Sequence, residues 1–265
     1  MEKILKKTES LGDLLRFWRQ LKKKSQMDLA FDAGISPKHL SFVETGKSRP
    51  SRRLVLALAG ALNLPLRHRN AFLRAAGYAP EFEEAPFDGQ KMAVVRQALE
   101  RMIKKHEPYP AVVLDTAYKI LMTNAGFDKM ILLFLGKNIR ENCGNIYRLT
   151  FAEDGLRQYI KDWPTIEHFM AGRLWEEAAA TQNHKLMALY EEISALRSSS
   201  GPVDFQADGS LPILSLTLEK QDIKARFFTT ITTLGTPLDL TTQELRIESL
   251  FPADQETRNL FNPAY

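Results

Sequence analysis

One cysteine, Cys143, is all that 265 residues contain. A lone thiol excludes a disulfide framework and any cysteine-based zinc site, and it fits a reducing, cytoplasmic setting. Arg140 and Arg148 lie near it in sequence and would favour its thiolate, so a redox-sensing thiol and an incidental one both stay open. The five histidines, His39, His68, His106, His168 and His184, fall in no HxxxH or HxH spacing, so no metal site is expected. Glu167 and His168 are adjacent, and neighbours on a helix diverge. Long apolar runs are missing as well. The longest, Met130 to Leu135, is far short of a membrane span. The opening MEKILKKTES holds no apolar run of signal-peptide length. There is no GxSxG elbow, P-loop, dinucleotide fingerprint, internal repeat or low-complexity tract. The expectation is a cytoplasmic protein that is not an enzyme, with no catalytic residues, metal or cofactor.

What is present is a chain long enough for two domains, with an ordinary hydrophobic fraction of 44%. Its charge is unevenly spread. Residues 1–80 hold 16 Lys and Arg against 6 Asp and Glu, a net of +10. Residues 81–265 hold 20 against 26, a net of −6. The sign changes in A-P-E-F-E-E-A-P-F-D-G-Q, residues 79–90, which has the prolines, glycine and acids of a linker. The expected organisation is a helical domain over 1–80, a linker over 81–90 and a second domain over 91–265.

Within the basic part, residues 25–50 read as two short helices and a tight turn. Ser25 caps the first, with Asp28 near its positive end. Gly34 supplies the freedom the turn requires. Ser36 then Pro37 start the second helix, and Gly46 stops it. Leu40 and Val43 face inward, leaving Lys38, His39, Ser41, Phe42 and Thr45 outward. Those side chains can bond base edges or phosphates, and Phe42 can pack on a thymine methyl. Lys47, Arg49, Arg52 and Arg53 follow directly and can grip the backbone. Flanking helices are expected from Leu11 to Leu21, after Ser51, and from Pro65 to a stop at Gly77. Solvated charge runs such as Lys22-Lys23-Lys24 are commonplace alone; the motif, the caps and the charge asymmetry together point to DNA.

The pattern Q-x-x-L-A-x-x-x-G-I-S followed by E-x-G-K-x-x-P resembles the Cro/C1-type (Xre family) helix-turn-helix regulators over residues 11–78. That resemblance implies that Gln26 contacts a phosphate and that Pro37, Lys38 and Phe42 lie where base readers lie. It also implies that Arg19 and Glu44 form a buried pair tying the first helix to the reading helix. Pro37 stands where many relatives have a base-reading Gln, so no base preference is carried over. With Ser36, these residues make up the expected DNA-binding surface.

Beyond the linker, Met92, Val95, Leu99, Met102 and Ile103 form an amphipathic helix ending before Pro108. A-V-V-L-D and Y-K-I-L-M-T read as a hairpin across Thr116 and Ala117, and Asn124 opens an apolar helix. Helical stretches follow over about 153–180 and 183–197. After Gly201-Pro202 the chain returns to strands, in I-L-S-L-T-L-E and A-R-F-F-T-T-I-T-T-L. Residues 244–251 fit a closing strand and also a helix. The fold class expected is a two-domain chain: an all-α helix-turn-helix domain, then an α+β, PAS-like antiparallel sheet wrapped by helices.

P-Y-P-A-V-V-L-D-T-A-Y-K-I-L-M-T-N-A, G-L-R-Q-Y-I-K-D-W and T-L-G-T-P-L-D-L-T-T-Q-E-L-R-I-E-S-L-F-P-A-D carry a resemblance to the MmyB-like ligand-binding domain, over about 105–258. That domain follows an Xre-type domain in a family of bacterial regulators. The resemblance implies an apolar pocket for a small, fatty-acid-like effector. Phe127, Met130, Phe134, Tyr159, Trp163, Phe169 and Phe228 are candidate lining residues, although large apolar side chains are core by default. Arg173 or Arg157 can pair a ligand carboxylate or be surface arginines. The expected function is a DNA-binding transcriptional regulator controlled by an apolar effector. It would act as a homodimer on double-stranded DNA with a two-fold operator. The alternative is a regulator whose second domain only dimerises or binds a protein partner.

Overall fold

The computed structural model describes residues 10–136, 144–197 and 213–262. Cys143 and Arg140 lie outside the described residues. The chain divides into two compact units: residues 1–85 with Thr236–Gln243, and Pro86–Gly235 with residues 244–265.

The first unit is a bundle of α1 (Leu11–Leu21), α2 (Gln26–Asp32), α3 (Pro37–Glu44), α4 (Arg52–Ala61) and α5 (Leu66–Ala75). Serine begins four of the five. The hydroxyls of Ser10, Ser25, Ser36 and Ser51 each accept the N–H three residues on, which satisfies a donor the helix itself leaves open. Leu15, Trp18, Leu29, Leu40, Val43, Val55, Leu58, Phe72 and Leu73 pack into one core. Gly12 lets α1 touch the end of α3, because a Cβ there would sit 2.1 Å from the Glu44 carbonyl oxygen.

The expected linker straddles the division between units. Asn70 of α5 accepts the N–H groups of Glu81 and Phe82, so the chain stays ordered past residue 80. The same unit takes in Thr236–Gln243 from much later in the chain.

The second unit is built on a five-stranded antiparallel sheet in the order β2-β1-β5-β4-β3. The strands are β1 (Ala111–Leu114), β2 (Ile120–Thr123), β3 (Ser215–Lys220), β4 (Ile223–Thr233) and β5 (Arg246–Pro252). α6 (Ala93–Lys105) precedes it. α7 (Ala125–Leu135), α8 (Ile146–Phe151), α9 (Trp163–Thr181) and α10 (His184–Ala195) come between β2 and β3. α11 (Leu240–Glu244) precedes β5, and α12 (Gln255–Phe261) follows it. The segment that fitted both strand and helix is therefore mostly strand. The hairpin and the Asn124-capped helix also form, with Asn124 Oδ1 accepting from Phe127 and Ala111.

One expected helix is shorter than its apolar pattern. The stretch 153–180 is broken, with a 3₁₀ turn at Leu156–Tyr159 and α9 starting at Trp163. Pro164 in the first turn accounts for it, since its ring disfavours a helical residue before it and it has no N–H to give.

Period-two alternation sorts the strand residues. Val112, Leu114, Leu218, Ala225, Phe227 and Leu250 join one cluster with Phe127, Met130, Phe134, Phe151, Leu174 and Ile193 of the helices. Phe228 pairs with Phe251 across β4 and β5, ring centroids 5.3 Å apart. His106 packs edge-on against Phe251.

Candidate functional site

Two places gather side chains able to act on something outside the chain. The first is the α2–turn–α3 surface. Asp28 and Ser25 form a reciprocal capping box, and the hydroxyl and N–H of Ser25 hold the Asp28 carboxyl below its usual range. Gly34 takes φ +67° in the turn, and Ile35 donates back to the Ala30 carbonyl at 2.9 Å. Ser36 caps α3 through the His39 N–H at 3.2 Å. Pro37 then occupies the first turn, where its missing N–H costs nothing.

The orientation of α3 is fixed from beneath. Glu44, only 3% exposed, accepts from Arg19 Nε at 2.8 Å and Nη2 at 3.3 Å. It also accepts from Gln26 Nε2 at 2.6 Å. The expected Arg19–Glu44 pair is thus in contact. Gln26, expected at a phosphate, has one amide hydrogen engaged by Glu44 and keeps the second. With Glu44, Leu40 and Val43 inward, Pro37, Lys38 and Phe42 are exposed and His39 and Ser41 half-buried. Lys38 Nζ lies 5.9 Å from the Phe42 ring centroid. Among the cations that follow, Lys47 and Arg53 are exposed. Arg49 lies over the Tyr78 ring, and Arg52 is paired with Glu81 at 2.7 Å. So Arg52 has a competing partner that the sequence did not advertise.

The second place is the interior of the sheet unit. Of the residues expected to line a pocket, Phe127, Met130 and Phe134 are buried together on α7, with Tyr159 and Trp163 packed against them. Trp163 meets Phe151 edge-on at 4.9 Å, and Tyr159 meets Phe134 at 5.9 Å. Two do not join. Phe169 is 47% exposed on α9. Phe228 stacks on Phe251, outside that cluster, because adjacent strand residues point opposite ways and Phe227 takes the inward place. Arg157 pairs with Glu153 at 3.6 Å and donates to backbone carbonyls.

Arg173 lies in a polar cluster beside this apolar interior. It donates to Glu248 at 2.8 Å and sits over the Tyr118 ring. Arg246 lies 4.5 Å from the centroid of the same ring and grips both oxygens of Glu177, while the Tyr118 hydroxyl donates to Glu177 at 2.5 Å. Tyr147 meets Tyr118 edge-on at 4.5 Å and donates to the Met170 carbonyl. The turn Asp115–Lys119 presents Tyr118 with φ +61°, held by the Asp115 carboxylate accepting from Ala117 and Lys119.

Burial dominates the electrostatics here. It pushes the Tyr118 hydroxyl up to about 12, against the pull of Arg246 and Arg173 and with help from Glu177. It raises Tyr147 further still. For Glu177 burial acts upward too, but the hydrogen bonds and charge of Arg246, the Tyr118 hydroxyl and Arg173 outweigh it and hold the carboxyl low. The cluster therefore keeps Arg173, Arg246 and the Glu177 carboxylate charged beside an apolar core.

Sequence reading picked out Arg173 but missed Tyr118, Tyr147, Glu177, Arg246 and Glu248. A signal existed: Arg173 and Glu177 are four apart on a helix, and Arg246 and Glu248 two apart on a strand, so each pair shares a face. The partners are crossed between elements, however, and only the fold reveals that.

A family model described as MmyB-like transcription regulator ligand binding domain matches residues 95–262, and one described as Helix-turn-helix matches 15–68. No curated protein matches. A solved structure described as "Structure of an RNA-binding Light-Oxygen-Voltage Receptor" is similar at 13% identity over 96% of this chain and 64% of that one. Its TM-score of 0.27 is too low to carry an argument.

Proposed function

This chain belongs to the MmyB-like transcription regulator family, and we propose that its helix-turn-helix reads DNA as a homodimer under the control of an apolar, fatty-acid-like effector. It is a DNA-binding regulator with a ligand-binding domain. The observation that carries the DNA reading is the outward face of α3, which places Lys38 and Phe42 in solvent on a helix locked from behind by Glu44. Pro37, His39 and Ser41 flank them as further base-side contacts. Gln26, Ser36, Lys47, Arg49, Arg52 and Arg53 are the phosphate-side contacts. One such head makes few base contacts, so useful specificity requires two heads on a two-fold site. The setting is the cytoplasm, where the chromosome of a bacterial regulator lies.

For the effector, the supporting observation is Arg173. Its single hydrogen bond among the described residues goes to Glu248, which leaves further guanidinium donors for a carboxylate. The apolar cluster of Phe127, Met130, Phe134, Tyr159 and Trp163 lies in the same unit, suited to an acyl chain. A second reading has its own observation. Phe127, Phe134 and Phe227 are almost wholly buried against other side chains, as in a closed core, which suits a domain that only dimerises or binds a protein partner.

Four measurements test the proposal. Lys38→Ala should weaken binding to a selected duplex by about 1–3 kcal/mol and relax specificity at one position. Arg53→Ala should weaken binding on all sequences alike and reduce the salt slope by about one. Equal loss on every sequence for Lys38→Ala would make it a phosphate contact. Sedimentation should show a dimer, and a monomer both free and on DNA would contradict the two-head reading. Solvent extraction of natively purified protein, read by mass spectrometry, should yield a stoichiometric acyl compound. A blank from protein that binds DNA would favour the closed-core reading.

A further inference from the structure

Helix α5 begins without a cap of its own. Pro65 precedes it and makes no side-chain capping bond, although the first N–H groups of any helix need outside acceptors. The Leu66 N–H finds one in Gln243, whose Oε1 accepts it at 2.7 Å across 177 residues of sequence. Gln243 belongs to α11, in the connection between β4 and β5.

The same connection holds the chain that leaves α5. The Asp239 carboxylate accepts the Ala85 N–H at 3.0 Å, and the Thr241 hydroxyl donates to the Ala85 carbonyl at 2.6 Å. The Leu240 N–H donates to the Glu83 carbonyl at 2.8 Å, and its side chain is buried. Asp239 also accepts the Thr242 N–H at 3.2 Å, so it starts α11 while holding Ala85. From the other side, Asn70 donates to the Phe82 carbonyl at 2.6 Å. Residues 81–85 are thus pinned between α5 and a segment that arrives from the ligand-binding sheet.

We infer that Thr236–Gln243 is a strap: a return loop of the ligand-binding sheet that works as a structural element of the DNA-binding unit and sets its stability. β4 ends at Thr233 and β5 begins at Arg246, so a few residues of chain tie the strap to each strand. From α5 the contacts continue through the unit. His68 packs on Trp18 with ring centroids 4.6 Å apart, and the next residue, Arg19, holds Glu44 at the end of the reading helix. A change in how β4 and β5 end therefore has a route to α5, to α1 and to α3. That regulatory step rests on the proposed function; the structural role of the strap does not.

Amide hydrogen exchange by NMR on the full chain tests it. Gln243→Ala removes the acceptor, whereas Gln243→Glu keeps one and adds a negative charge that a helix start favours. The Leu66 amide should exchange about ten times faster in Q243A, as expected for a lost cap, and no faster in Q243E. The amides of Ile247–Leu250 should be unchanged in both. Asp239→Ala should accelerate Ala85 in the same selective way. Unchanged Leu66 exchange in Q243A would overturn the strap, and so would acceleration spread equally over the sheet. These readouts need neither DNA nor effector, so a failed strap leaves the regulator reading standing, and a failed regulator reading leaves the strap.

Discussion

The two units use buried charge in opposite ways. In the helical unit, one carboxylate, Glu44, takes in Arg19 and Gln26, and that inward knot leaves Pro37, Lys38 and Phe42 of α3 facing solvent. Lys38, Lys47 and Arg53 remain exposed to solvent. In the sheet unit, two arginines and two carboxylates are folded against the interior with Tyr118 between them, and they balance one another. The first arrangement offers charge to a partner, while the second stores it beside an apolar core. A ligand carboxylate would enter the second through the guanidinium donors of Arg173 that Glu248 does not engage. DNA bound as proposed would displace little from Lys38, Lys47 or Arg53. Affinity for DNA should therefore follow salt closely, and affinity for an acid should follow the integrity of the cluster.

The largest expected effect comes from cutting the stored charge. Arg246→Ala leaves Glu177, only 22% exposed, without its bidentate partner, and should destabilise the sheet unit by about 3 kcal/mol. Thermal unfolding followed by sheet-amide exchange would show it, and a shift confined to the helical unit would break the contrast. Glu44→Ala strips two partners at once in the helical unit and should cost about 2 kcal/mol there, with the sheet amides unchanged.

Alkali separates the units by a different lever. Tyr118 ionises near 10 when unfolded and about 12 when folded, so the folded state holds its proton longer. That contribution is intact below pH 10 and is lost as the pH rises toward 12, at no more than about 1.4 kcal/mol per pH unit. Tyr118→Phe should flatten that part of the stability profile. The smallest effect is a cap: Ser36→Ala should cost about 1 kcal/mol in the helical unit. It should also loosen the start of α3 in hydrogen exchange.

What was legible in the sequence follows from the same contrast. The helix-turn-helix is written within about 30 residues, through Ser caps, Gly34, Gly46 and inward Leu40 and Val43, all local signals. The hairpin, the Asn124 cap and the Thr-rich β4 were legible for the same reason. The polar cluster was not, because its members come from a turn, two helices and a strand, and only the fold crosses Arg173 with Glu248 and Arg246 with Glu177. Phe228 was misplaced because Phe227-Phe228 gives no local sign of which ring turns inward. The α9 boundary was set by Pro164, a local signal outweighed by a long apolar pattern. Nor could spacing show that Gln243 caps Leu66, since 177 residues separate donor from acceptor.

A ligand held by the sheet unit is expected to change how the helical unit binds DNA. The most direct test is to measure the affinity of the full chain for a selected duplex at fixed salt, with and without a saturating long-chain carboxylic acid shown to bind one per protomer. A shift of at least about fivefold is expected, the lower end of usual coupling between sites. Identical affinity with the acid bound would contradict it.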